Sequence, residues 1–187
     1  MGLRIISGEL KGRIIKVSEK AKKQFRPTTE RARESVAEIL KVHLLDAYVA
    51  DVCAGSGTMG FEMLSRGAKR VDFIESDKVY ASGIEKNSEY LAVKDRVRVI
   101  RQDVRKFVTS SDERYQLIYY DPPYDCDQLP QMVPLLVKRL SPEGILVYER
   151  RRLPGEKKPD SKKAAENMYD RRIFGDTVVE FYKIHKS

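Results

Sequence analysis

Asp121, Pro122, Pro123 and Tyr124 stand together after an apolar, aromatic run, residues 115–120, that reads as a buried strand. Two successive prolines remove two backbone donors and stop the strand, while their carbonyls stay free to accept. The Asp carboxylate adds an acceptor and the Tyr ring adds a flat stacking face. A planar amine substrate needs acceptors for its N–H groups and a surface for its ring. These four residues are therefore the candidate catalytic set. An ordinary Asp-Pro turn would read the same in isolation.

A second motif lies upstream. A strand over residues 47–53 carries Asp51 and leads into Ala54, Gly55, Ser56, Gly57 and Gly60. Glycines turn tightly and let a backbone approach a ligand. The G-x-G-x-x-G spacing of Gly55, Gly57 and Gly60 is a weak dinucleotide signature by itself. Residues 58–66 predict a short helix stopped by Gly67. The next strand, residues 70–75, ends in Glu75, which could accept both hydroxyls of a ribose. A third strand, residues 97–101, precedes Asp103, suited to an adenine amino group. NAD and S-adenosylmethionine both carry an adenosine, so Glu75 does not separate them. A helix-capping Asp103 and a solvated Glu75 are the plainer alternatives.

These residues need a frame. From residue 48 to residue 148 five strand patterns alternate with helical ones, the signature of a parallel α/β sheet. Ligands of such sheets bind at the carboxyl ends of the strands, where Asp51, Glu75, Asp103 and Asp121 all fall. Residues 141–144 read as a turn between a helix ending at residue 140 and a fifth strand, 145–148. Residues 151–167 read as a long exposed loop, and residues 168–174 and 177–184 as a closing antiparallel pair. Ahead of this core, residues 3–7 and 12–17 read as a basic β-hairpin. A lysine-rich loop, 20–26, then leads to a helix opened at Pro27, Thr28 and Thr29, with Ala32, Val36, Ile39 and Leu40 as its apolar stripe.

The 187 residues suffice for one domain with a proper core. The expected division is a basic extension, 1–26, on a catalytic core, 27–187. The formal net charge is +8, and it is unevenly spread. Residues 1–33 hold ten Lys and Arg against three Glu; residues 34–148 hold fifteen against eighteen acids. Basic flanks around an acidic centre suit a polyanion held at the ends while chemistry proceeds in the middle. Solubility charge is the bland alternative. Neither a membrane span nor a signal peptide is expected. The two cysteines, Cys53 and Cys126, and the two histidines have no metal-ligand spacing, so reduced thiols, no metal and a cytoplasmic location are expected.

The chain resembles the bacterial 16S rRNA (guanine-N2)-methyltransferase family along nearly its whole length. The resemblance rests on residues 4–8, 11–13 and 26–29, on Arg31, Arg33 and Glu34, on residues 54–57, on Gly60 and Glu62, on residues 64–68, and on Asp121-Pro122-Pro123-Tyr124. The glycine loop and the Asp-Pro-Pro-Tyr turn are shared by many amino-methyltransferases, whereas the hairpin with Arg26-Pro27-Thr28-Thr29 narrows it. Cys53, where some members carry Phe, and the very basic run at 150–152 depart from the pattern.

The resemblance implies a class I (Rossmann-like) methyltransferase fold: a mostly parallel seven-stranded sheet, helices on both faces and an N-terminal β-hairpin. It implies S-adenosylmethionine as cofactor, held by Asp51, Ala54, Gly55, Ser56, Gly57, Gly60, Glu75, Ser76, Asp103, Val104 and Asp121, with Thr28 at the border. The implied partner is 16S rRNA in the 30S subunit or its assembly intermediate, with a monomer expected; the basic excess of residues 1–33 makes Arg4, Lys11, Arg13, Lys22, Lys23 and Arg26 the expected phosphate contacts. Three rival readings stay open: a DNA adenine-N6 methyltransferase, an NAD-dependent oxidoreductase and a non-catalytic RNA-binding module.

Overall fold

The computed structural model describes residues 2–17, 30–110, 112–123, 130–156 and 167–184. Five parallel strands form the centre: β3 (Tyr48–Val52), β4 (Arg70–Ile74), β5 (Val97–Ile100), β6 (Tyr115–Tyr120) and β7 (Leu140–Arg151). Strands β8 (Met168–Phe174) and β9 (Thr177–Lys183) complete the sheet antiparallel, giving the order β5-β4-β3-β6-β7-β9-β8. The order reverses between β3 and β6, and the crevice at such a reversal is where doubly wound sheets bind ligands. A separate two-stranded hairpin, β1 (Gly2–Arg4) with β2 (Ile14–Lys16), precedes the sheet.

Both faces of the sheet are covered, and the period-2 alternation of the strands sorts their side chains between them. Val49, Leu117, Tyr119 and Val147 join one core with α1 (Glu30–Leu40), α2 (Thr58–Ser65) and α3 (Lys78–Tyr90). Ala50, Ile118, Tyr120 and Tyr148 join the other with α4 (Val104–Ser110) and α5 (Val133–Val137). The hairpin contributes Ile5, Leu10 and Ile15 to the first core. Among the described residues no helix is long and apolar enough to cross a membrane.

Several sequence expectations need correction. The turn expected at 141–144 is part of β7, because the strand begins at Leu140 and its pairing with β6 shifts register between Tyr115 and Leu117. Glu143 takes a left-handed φ of 62° there, and a Cβ on Gly144 would stand 2.8 Å from the Tyr115 carbonyl. The preceding helix ends at Val137 instead of residue 140. Ile39 is exposed, and Ala37 joins Val36 and Leu40 inside. The hairpin strands are shorter than the patterns at 3–7 and 12–17, because residues 5–13 are occupied with turns and contacts to α2. Arg151 belongs to β7, and residues 157–166 of the expected loop lie outside the described residues.

Candidate active site

The chain leaves β3 through a loop that only left-handed backbone can make. Cys53 (φ 61°), Gly55 (φ 54°) and Gly57 (φ 74°) all adopt it. The Ala54 N–H donates to the Ile74 carbonyl at 3.1 Å, and the Gly57 N–H donates to Ala54 at 2.8 Å. Gly60 is needed for a different reason. A Cβ there would lie 2.2 Å from the Phe73 ring and 2.8 Å from Asp51 Oδ2, so its absence lets α2 pack onto the sheet. A Cβ on Gly55 would meet nothing within 4 Å, which leaves that side of the loop open to a ligand.

Two acids hold this cradle. Asp51 Oδ2 accepts from the Gly60 N–H at 2.8 Å. Glu75 Oε2 accepts from the Gly55 N–H at 2.7 Å, and Oε1 from the Asp77 N–H at 2.8 Å. Burial pushes the Asp51 carboxyl up to about 8, against the lowering effect of the Gly60 N–H. Burial raises Glu75 as well, against donation from Asp77 and Gly55.

The four strand-end acids all lie near enough to Cys53 to act on its thiol. The Cys53 thiol is pushed up first by burial and then by the negative charges of Glu75, Asp121, Asp103 and Asp51. Asp121 continues β6 beside β3, and its N–H donates to the Val52 carbonyl at 3.3 Å. Pro122 is buried behind it and Pro123 is exposed. Beneath the turn the Tyr119 hydroxyl donates to the buried Glu149 carboxylate.

Other expected site residues take different positions. Asp103 is bound by Arg105, through its backbone N–H at 2.9 Å and Nε at 2.8 Å, and the Arg105 side chain holds its carboxyl below the usual range. The capping role left open for it is thus present. Val104 is buried in the second core, so its side chain packs against the sheet. Ser76 is exposed, and the Ser56 hydroxyl is hydrogen-bonded with that of Thr58 at 2.7 Å. Arg4, Lys11 and Arg13 are exposed on the hairpin, but Arg13 also donates to the Tyr90 carbonyl at 2.9 Å and lies over its ring. Tyr124, Thr28, Lys22, Lys23, Arg26 and Cys126 lie outside the described residues.

The docking role of three residues was not read from the sequence, although Glu62 and Ser65 are among those that carry the family resemblance. Buried Glu62 accepts from the Ile6 N–H at 2.8 Å and the Ser7 N–H at 3.1 Å. The Ser65 hydroxyl accepts from the Leu10 N–H, and Asn87 forms a reciprocal pair with the Lys16 backbone, both of its bonds being 2.9 Å. Glu62 and Ser65 sit on the helix that follows the glycine loop, and Asn87 on the helix after Glu75. The hairpin is therefore anchored on the two helices that frame the cradle.

A seven-stranded sheet of this order, with a glycine loop after β3 and Asp-Pro-Pro after its neighbour β6, is the α/β Rossmann-like methyltransferase fold. The structure of a candidate methyltransferase, yhhF, from Escherichia coli superposes with a TM-score of 0.81 at 27% identity, covering 97% of both chains. The family described as conserved hypothetical protein 95 matches residues 3–183, and the chain belongs to it. Its relatives include ribosomal RNA small subunit methyltransferase D of Haemophilus influenzae, 32% identical over 79% of this chain and 78% of the relative. The protein of the same name from Escherichia coli is 32% identical over 79% of this chain and 74% of the relative.

Proposed function

We propose that the protein transfers a methyl group from S-adenosylmethionine to the exocyclic N2 amine of a guanine in 16S rRNA. The substrate is the 30S subunit or its assembly intermediate, and the enzyme acts as a cytoplasmic monomer. The observation that carries this reading is the adjacency of the Asp121-Pro122-Pro123 turn to the glycine cradle, across neighbouring strands β6 and β3. The names of the relatives support rRNA as the substrate class.

The cradle fits the cofactor chemically. Its acids would complement a cation, Glu75 would take the ribose hydroxyls, and the open side of Gly55 admits close approach. When bound, S-adenosylmethionine supplies an electrophilic methyl carbon on a sulfonium sulfur. A guanine amine is a weak nucleophile, because its lone pair is delocalised into the ring. Asp121 and the Pro122 carbonyl accept its two N–H groups, favour a pyramidal nitrogen and stabilise the positive charge that develops there. With the cofactor held by the cradle, the methyl carbon would be presented to this nitrogen, and Asp121 would keep its acceptor on the nitrogen until the surplus N–H proton passes to solvent. Alignment of the reacting atoms can supply roughly 7–11 kcal/mol. Tyr124 would stack on the base, which must be unpaired or extruded to reach the turn.

The test is methylation of 30S subunits from cells lacking the protein, followed by nuclease digestion and mass spectrometry of the nucleosides. N2-methylguanosine at one site is expected. Asp121→Ala should slow single-turnover transfer at saturating cofactor by about 10²–10³-fold. Methyladenine as product, transfer to DNA instead of RNA, or an unimpaired Asp121→Ala would overturn the reading.

A further inference from the structure

β7 outruns its parallel neighbour. Tyr120, the last residue of β6, pairs with Tyr148, while β7 continues for three more residues to Arg151. Pairing with β9 keeps that extension straight, with Glu149 opposite Val179, Arg150 opposite Val178 and Arg151 opposite Thr177. At strand rise the arginine end stands about 10 Å beyond the end of β6, where the Asp-Pro-Pro turn begins. A cleft of about 1220 Å³ lies between them. Pro122, Pro123, Tyr148, Arg150, Arg151 and Arg152 are among the residues that line it.

The three arginines are not equivalent. Arg150 is spent within the protein. It donates to Glu156 at 2.6 Å and to Glu180 at 2.8 Å, and Arg171 shares both of those acids. Two cations and two carboxylates thus cancel in the wall. Arg152 is fixed by its backbone, whose N–H donates to the Asp176 carbonyl at 2.8 Å. Its guanidinium reaches only the Glu156 carbonyl, so its charge is not neutralised by an acid among the described residues. Arg151 is exposed, and its side chain makes no hydrogen bond or ion pair with any described residue. Alternation along β7 puts it on the face that carries Glu149, the partner of Tyr119, and alternation along β6 puts Asp121 on that same face.

We infer that Arg151 and Arg152 form a phosphate subsite for the single-stranded RNA flanking the target nucleotide. This rests on the function proposed above and adds where the strand lies. The strand end that carries Arg151, on the face of Asp121, stands about 10 Å beyond the turn, so phosphates flanking a base held there come within reach of two guanidinium groups that no described acid neutralises. The salt-bridged wall around Arg150 holds that strand end rigid, so little ordering accompanies binding. The basic run at 150–152 gains a role divided between support and contact.

The experiment compares wild type, the R151Q/R152Q double variant and the R151K/R152K double variant in single-turnover methylation of undermethylated 30S subunits, with salt varied. Both side chains are exposed, and circular dichroism verifies the fold. The glutamine variant should raise the half-saturating 30S concentration about tenfold and flatten the log–log salt dependence by about two phosphate contacts. Its saturating rate and cofactor affinity should stay within twofold of wild type. Lysine should restore most of the loss, since it keeps the charge. Wild-type saturation and salt slope in the glutamine variant would overturn the subsite, as would a lysine variant equally impaired. A wild-type protein that methylates no RNA would instead overturn the proposed function itself.

Discussion

The Gly60 N–H donates to Asp51 Oδ2 at 2.8 Å, tying the first turn of α2 to the last turn-facing acid of β3. The carboxylate is 2% exposed and the Glu75 charge adds to the effect of burial, so its ionisation is costly in the free protein. An acid whose folded value is raised contributes nothing below its ordinary value of about 3.8, and its penalty grows as pH climbs toward about 8.

Asp51→Asn removes that titration while its amide oxygen can still accept from Gly60. Relative to wild type, the variant should be indifferent near pH 4 and more stable by several degrees in Tm near pH 8. Calorimetric melts at both pH values check this. A stability difference that does not grow with pH would mean that Asp51 is already ionised in the folded protein.

Gly60→Ala places a methyl group against Phe73 and Asp51 at 2.2 and 2.8 Å. Overpacking of this kind costs typically 1–3 kcal/mol. Gly55→Ala meets no atom and is strained only by its φ of 54°. Urea denaturation should therefore find Gly60→Ala the less stable of the two. Gly55→Ala should weaken S-adenosylmethionine binding more than it weakens the fold. The reverse ranking would remove the distinction between a packing glycine and a ligand-facing one.

Much of this was legible in the sequence, because strand ends and glycine loops are local signals. The apolar run at 115–120 marks a buried strand, of which residues 117–120 alternate between the two cores, and Asp51, Glu75 and Asp121 fall at or near the strand ends where the pattern puts them. What was not legible depends on partners far along the chain. Glu62 meets Ile6 across 56 residues and Asn87 meets Lys16 across 71, and no periodicity announces either contact. Ile39 fits a helical stripe yet is exposed, because tertiary packing and not spacing chose Ala37. The sequence 141–144 has turn chemistry, but pairing with β6 absorbs it as an irregularity inside β7.

Glu75 has two tasks that substitution can separate. Its carboxylate straps Gly55 and Asp77, and the proposed function also gives it the ribose hydroxyls. Glu75→Ala should weaken S-adenosylmethionine binding by on the order of 1–3 kcal/mol, and Glu75→Gln, which keeps one acceptor, by less. Isothermal titration checks both. Full affinity in Glu75→Ala, with the fold intact, would reassign the ribose to another residue.

Glu62 is the residue on which hairpin docking depends most. Its side chain is 0% exposed, and both oxygens are used: Oε2 by the Ile6 N–H, and Oε1 by the Ser7 N–H and by Arg66 Nε at 2.8 Å. Glu62→Gln keeps the volume but turns one acceptor into a donor, which then faces other donors. Leaving such groups unsatisfied costs about 1–3 kcal/mol. Arg66 retains Glu38 at 3.0 Å, so the loss falls on the hairpin backbone. Gly8 offers no compensating shift, since it already packs so closely that a Cβ would sit 1.8 Å from the Ser65 carbonyl. Amide exchange at Ile6 and Ser7 should accelerate well before exchange in β3 or β6, and limited proteolysis should cut the hairpin first. Because the hairpin carries exposed Arg4, Lys11 and Arg13, the half-saturating 30S concentration should rise as well, with cofactor affinity retained. Unchanged exchange at both amides would show that the apolar contacts of Ile5, Leu10 and Ile15 hold the hairpin without the Glu62 clamp.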